Sequence, residues 1–205
     1  GVKTIVHCAG VAHDVSKRSD KDIQKYQSIN VDGTINLANS AVYSGVRRFI
    51  FLSSVKVLGE KTDPNKSFSF DDNPNPESFY GLSKYSAERK LLEISKRTGL
   101  EVVIIRPSLV YGPGVKGNMH LLMRFIELGL PIPFGSIKNK RSLIGLDNLI
   151  DFLVKCVEYE QILSDVFLLS DGEEISTPDL IRMIGSSMQR DIRLLNIPLP
   201  IIKFF

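Results

Sequence analysis

Tryptophan is absent from this 205-residue chain, cysteine occurs twice and histidine three times. Each scarcity closes off a class of protein. Cys8 and Cys156 form no CxxC pair and sit in apolar runs, so both read as core residues of a protein in a reduced, cytoplasmic setting. His7 lies within an apolar strand and reads as a core histidine; His13 stands where it could edge a substrate pocket. No carboxylate or cysteine array supplies ligand spacing around either, so a metal centre is not expected. No apolar run approaches the roughly 18 residues a membrane helix needs, and the opening "GVKTIVHCAG" is not a signal peptide. Charge of one sign is also scarce: the net charge is +3, too small and scattered to argue for nucleic acid. The one local cluster, Lys17, Arg18, Lys21 and Lys25, is interleaved with Asp14, Asp20 and Asp22 and reads as a solvated face.

What is present is an ordinary globular composition, 43% apolar and 24% charged, long enough for one large domain or a domain with a small lobe. Strand-like and helix-like segments alternate, which argues for an α/β fold with a parallel sheet. The strands are "TIVHCAG" (4–10), "RRFIFLSS" (47–54), "EVVIIRPSLVYGPG" (101–114) and "DVFLLSDG" (165–172). Helices are expected from about 20 to 44, closed by Gly45, and from Asn75 as cap and Pro76 as first residue to about 98, closed by Gly99. Further helices are expected near 118–128, over 147–159 with Asp147 as cap, and after Thr177 as cap with Pro178 inside the start. Gly10, Ser53–Ser54 and Pro107–Ser108 end the first three strands. In a doubly wound sheet ligands gather at such carboxyl ends.

Behind the second strand end, "SFYGLSKYSAERKLL" (78–92) sets Tyr80 four residues before Lys84, on one face of a helix. An ammonium beside a phenol favours the phenolate, and a tyrosine so tuned can exchange a proton with a carbonyl or alcohol. Ser54 could donate a second hydrogen bond to the same oxygen. This suits hydride transfer, in which the protein handles the proton and a nicotinamide the hydride.

"FLSSVKVLGE", "YGLSK", "IIRPSLVYGPG" and "RSLIGLDNLIDFL", in this order, resemble the extended short-chain dehydrogenase/reductase family, in its nucleotide-sugar epimerase and reductase branch. The resemblance runs from residue 1 to about residue 200. It implies a Rossmann-type doubly wound parallel sheet with a small C-terminal lobe: residues 1–114 as the partial NAD(P)-binding domain, 115–205 mostly as substrate lobe, with 147–172 returning to the sheet. It puts the catalytic roles on Ser54, Tyr80 and Lys84. Cofactor contacts fall on Cys8, Ala9, Gly10, Asn30, Ser53, Tyr80, Lys84, Pro107 and Ser108, with Lys84 also on the nicotinamide ribose and Asn30 a structural and proton-relay position. Substrate contacts fall on Val55, Lys56, Asn118 and Arg141, the last with a planar fork suited to the nucleotide diphosphate. The implied cofactor is NAD, with NADP an open alternative, and the implied partners are a UDP-linked sugar and a second copy of the chain, docked through helices near 20–44 and 78–98.

Two departures from the family pattern narrow the expectation. Val55 and Lys56 stand where sugar dehydratases of the family carry an acidic pair, so dehydration is disfavoured and oxidation–reduction at a sugar carbon, C4, remains. That points to a 4-epimerase or 4-ketoreductase of bacterial surface-polysaccharide synthesis. The strand–GxxGxxG–helix that meets the pyrophosphate does not occur, so the chain reads as a family member entered at its fourth strand and stopping short of the usual end at "IPLPIIKFF". Alternatives are a reductase of a non-nucleotide carbonyl and a binding module that has lost its cofactor.

Overall fold

The computed structural model of the protein describes residues 1–12, 20–63, 66–198 and 200. His13, the 14–18 part of the charged cluster and the end of the chain from 201 lie outside the described residues. The chain divides into two compact units, residues 1–108 with 147–169, and residues 109–146 with 170–205.

The first unit is built on a four-stranded, all-parallel sheet in the order β1-β2-β3-β6. These strands are β1 (Thr4–His7), β2 (Arg48–Leu52), β3 (Glu101–Pro107) and β6 (Asp165–Leu169). The two central strands are apolar without alternation because both of their faces are covered. Phe49, Phe51, Val102 and Ile104 pack on one side against Ala38 and Ala41 of α2 (Gly33–Tyr43) and Ala87, Leu91 and Ile94 of α3 (Phe79–Thr98). Alanines at the contact let both helices lie close to the phenyl rings, and each buried ring contributes about 2–3 kcal/mol. Ile50, Val103 and Ile105, also fully buried, point the other way. Beyond them α5 (Leu146–Glu158) meets the sheet through an edge-on contact between Phe152 and Phe167.

Two ionic clusters fasten this layer. Arg48, 1% exposed, bonds Glu101 at 2.8 Å and the carbonyls of Cys156, Tyr159 and Gln161 at 2.5–2.7 Å, closing the C-terminal end of α5 with a buried cation. Glu88 of α3 and Arg106 of β3, both buried, pair bidentately at 3.1 and 2.7 Å.

The first crossover helix is not uniform. α1 (Asp20–Tyr26) runs into a π-helical turn, Gln27–Asp32, and then into α2. The wider turn buries Asn30 completely. Nothing in the residue pattern announces it, and such turns concentrate at functional sites.

Three expected boundaries shift. α3 begins at Phe79 with Ser78 as its cap, the Ser78 hydroxyl accepting from the Gly81 N–H. Asn75 instead donates its N–H to the Val57 carbonyl at 3.0 Å, which holds residues 75–77 along the neighbouring turn and outside the helix. The single strand expected over 101–114 breaks at Ser108. Its first part pairs with β6, and its second, β4 (Leu109–Tyr111), pairs with β5 (Arg141–Gly145) in the other unit. α6 (Thr177–Ser187) is capped by Ser176, with Thr177 already helical.

The second unit holds β4, β5 and β7 (Glu174–Ile175), parallel then antiparallel, with α4 (Gly117–Glu127) and α6 joined over Ile126, Ile132 and Ile181.

Candidate active site

The candidate catalytic groups converge where β2 ends and α3 begins. After β2, Ser54 caps a 3-10 turn, Val55–Val57, its hydroxyl accepting from the Lys56 N–H at 3.3 Å. The Ser54 hydroxyl lies near enough to the Tyr80 phenol to act on its titration. Tyr80 also stacks obliquely on the buried Tyr26 ring, with centroids 6.5 Å apart. Lys84, 4% exposed, sends its ammonium to the Leu52 carbonyl at 2.8 Å and holds it 4.6 Å over the Phe51 ring. That ammonium stands 6.0 Å from the Tyr80 ring centroid.

These surroundings revise the expected tuning of the phenol. Burial pushes Tyr80 above the ordinary tyrosine value; the Ser54 hydroxyl pulls the other way, and Tyr26 adds to the rise. Desolvation therefore outweighs whatever the lysine contributes, and Tyr80 rests as a neutral phenol. Lys84 itself is pushed down to about 8 by burial, against the pull of Cys8 and Glu88. Residues 80, 84 and 88 share one face of α3 at intervals of four, so sequence spacing already carried the signal for Glu88 as a neighbour of the pair.

Asn30 organises the floor of the site. Its Oδ1 accepts from the Val11 N–H at 2.8 Å, and its Nδ2 donates to the Val11 carbonyl at 3.0 Å and to Ser83 Oγ at 2.9 Å. Ser83 in turn donates to the Tyr80 carbonyl at 2.8 Å. One side chain thus clamps the segment after β1 to the helix that carries tyrosine and lysine. His7 lies behind this clamp, its Nε2 2.9 Å from Thr34 Oγ1 and its ring against Phe49 and Phe51. Burial, helped by Lys84, holds it below the ordinary imidazole value; it is a packed, hydrogen-bonded core histidine. Sequence reading missed Tyr26, Thr34 and Ser83, because contacts between elements far apart in the chain leave no trace in local spacing.

Cys8, Ala9 and Gly10 follow β1 and are exposed. The expectation of two core cysteines holds for Cys156 and fails for Cys8. β1 ends at His7, so Cys8 lies beyond the carboxyl end of the strand and outside the packed sheet. Gly10 sits in a narrow cradle: a Cβ there would lie 3.1 Å from Asn30 Oδ1 and 3.3 Å from Lys84 Nζ. Ser53 Oγ and Ser108 Oγ, at the ends of β2 and β3, are buried with no hydrogen-bond partner among the described residues. Buried hydroxyls without partners are uncommon. Two at adjacent strand ends, beside a glycine cradle and a buried ammonium, fit a polar cofactor such as a nicotinamide nucleotide. Pro107 is buried in β3 just before Ser108. Val55 and Lys56 lie in the turn after Ser54, Lys56 forming an ion pair with Glu60. Asn118, second residue of α4, and Arg141, first of β5, belong to the second unit and are exposed there.

Residues 1–166 match the NAD dependent epimerase/dehydratase family. Among curated proteins, the chain is 45% identical over 202 residues to a UDP-glucose 4-epimerase of Vibrio cholerae, covering 98% of this chain and 62% of that protein. It is 28% identical to an N-acetyl-alpha-D-glucosaminyl-diphospho-ditrans,octacis-undecaprenol 4-epimerase of Escherichia coli O157:H7, over 86% of this chain and 53% of that one. Among solved structures, a UDP-glucuronic acid 4-epimerase from Bacillus cereus in complex with NAD superposes with a TM-score of 0.81 at 26% identity, covering 95% of this chain and 62% of that chain. The chain therefore spans about half to three-fifths of the length of these relatives.

Proposed function

The chain belongs to the NAD-dependent epimerase/dehydratase family, and from that membership and its site we propose that the full-length protein is an NAD-dependent 4-epimerase of a UDP-hexose or UDP-N-acetylhexosamine. The observation that carries the reading is the meeting of Ser54, Tyr80 and a buried Lys84 where β2 ends and α3 begins, the Lys84 ammonium on the Leu52 carbonyl and 6.0 Å from the Tyr80 ring centroid. When bound, NAD supplies a hydride acceptor that returns the hydride to the opposite face of the same carbon. In its phenolate form, which the positive charges of Lys84 and of a bound nicotinamide would favour over the neutral phenol of the cofactor-free site, Tyr80 would take the proton of the C4 hydroxyl as that carbon is oxidised and give it back on reduction. Ser54 hydrogen-bonds the same oxygen, and Lys84 stabilises charge on the phenol and holds the ribose. Ser53, Ser108 and the backbone at Cys8, Ala9 and Gly10 would line the nicotinamide end. Val55 and Lys56 carry no carboxylate to remove water from the ring, which favours epimerisation over dehydration.

In this reading the first unit is the cofactor domain and the second the substrate lobe, with Asn118 and Arg141 on the nucleotide diphosphate. A homodimer through α1–α2 and α3 is part of the proposal, supported by exposed Ile23, Ile29, Leu37 and Leu82 on those helices. A role in surface-polysaccharide synthesis is supported by the similarity to a 4-epimerase of a lipid-linked sugar.

The test is interconversion of UDP-glucose and UDP-galactose, and of their N-acetyl forms, by the full-length protein supplied with NAD. Turnover of at least one pair is expected, and Tyr80→Phe should lower it by about 100-fold or more while bound NAD is retained. Absence of conversion of all four sugars sinks the reading. Full activity of Tyr80→Phe removes the tyrosine from the chemistry.

A further inference from the structure

Gly81 follows the tyrosine and is buried in the first turn of α3. A Cβ built there would stand 2.5 Å from the carbonyl oxygen of Lys56, 3.2 Å from its carbonyl carbon and 3.2 Å from Pro76 Cβ. The obstacle is backbone, which cannot swing aside as a side-chain tip can. Lys56 lies in the turn that Ser54 caps, and that turn is held from behind by the fully buried Val57 and by the Asn75–Val57 backbone bond of 3.0 Å. The backbones that carry Ser54 and Tyr80 therefore touch at Gly81. The residue is helical, not left-handed, so glycine is not needed there for its conformation. In an open helix alanine would be the better residue at this position.

We propose that Gly81 is a positioning residue for proton transfer: its missing side chain sets the separation of Ser54 and Tyr80, and with it the place of a substrate oxygen that both hydroxyls contact. The proposal rests on the epimerase reading. Ordinary contact for a methyl begins near 3.4 Å, so Gly81→Ala must push the turn and helix apart by 3.4 − 2.5 = 0.9 Å. A misplacement of about 1 Å can lower a rate by up to about 100-fold. Because the Ser54 hydroxyl holds the phenol down, weakening its contact moves the Tyr80 titration to higher pH.

The experiment uses the full-length, NAD-loaded protein. Expected for Gly81→Ala are a kcat lowered by about 10- to 100-fold, an unchanged KM and an upward displacement of the Tyr80 midpoint, read as tyrosinate absorbance against Tyr80→Phe. In a Ser54→Ala background, the same substitution should have little further effect on kcat, since the contact it disturbs is already gone. A kcat equal to wild type, or an equal loss in both backgrounds, overturns the proposal. If Gly81→Ala does not fold, Val57→Ala loosens the same turn without adding atoms. A loss of kcat at constant KM then supports the proposal, and an unchanged kcat overturns it. Should the wild-type protein convert no UDP-sugar, the epimerase reading falls by itself. The tyrosinate midpoint then decides Gly81 alone: upward supports the positioning role, unmoved refutes it.

Discussion

Lys84 is an ammonium with 4% exposure in a helix that packs on an aromatic strand, and this makes stability depend on pH in an unusual direction. Its folded-state pKa is about 8, against 10.5 in the ordinary state. Below about pH 8 lysine is protonated in both the folded and unfolded chain, and the folded state carries the full desolvation penalty. Between about 8 and 10.5 the unfolded chain still binds the proton while the folded one has released it, so stability rises with pH across this interval. Above 10.5 the two states again match and the rise ends. Each pH unit contributes about 1.4 kcal/mol, giving about 3 kcal/mol over the whole interval as an upper figure. The assay is urea unfolding at about pH 7 and about pH 10, at constant ionic strength, for the protein and for Lys84→Met. Cys8, whose titration is coupled to Lys84, is replaced by alanine in both, so the remaining titrations cancel in the difference. The lysine protein should gain stability relative to the methionine protein by about 1–3 kcal/mol. A flat difference, or one that falls with pH, would show that Lys84 keeps its proton through hydration or a stronger partner, and the buried-ammonium account would be wrong.

The ionic clusters yield two further expectations. Glu88→Ala leaves Arg106 charged and buried, and should lower unfolding free energy by about 3–5 kcal/mol, whereas Glu88→Leu with Arg106→Met should recover most of it; a double variant as unstable as the single refutes the desolvation argument. Arg48→Met removes the buried cap of α5 and should cost about 3 kcal/mol or more. Arg47→Met, whose partner is the same Glu101 but whose side chain is 46% exposed, should cost less than about 1 kcal/mol in the same denaturation assay.

The ladder of elements was legible because it follows from local pattern. Unbroken apolar runs over 49–52 and 102–105 announce strands covered on both faces. Gly45 and Gly99 end helices where left-handed backbone is required, with φ of +69° and +77°. The Tyr80–Lys84 spacing, the serines closing β2 and the polar strand ends marked the candidate site for the same reason: each lies within a few residues of its neighbours along the chain. What escaped depends on partners far apart in sequence. The break of one apolar strand at Ser108 comes from two different pairing partners, Leu169 and Leu143. Asn75 lost its capping role to a bond with Val57, and Cys8 proved exposed where β1 runs out.

By itself, then, the sequence determined the α/β order and the shared helical face of Tyr80 and Lys84, since periodicity and capping act over one or two turns. Only the tertiary structure decided the state of those residues. Burial keeps Tyr80 neutral and brings Lys84 down toward neutrality, because desolvation depends on what surrounds a group and not on its neighbours in the chain. The π-helical turn that sets Asn30 against Val11, and the close approach of Gly81 to the Lys56 carbonyl, were decided there too. Both bring together segments far apart in the chain, and such approaches leave little mark on local residue pattern.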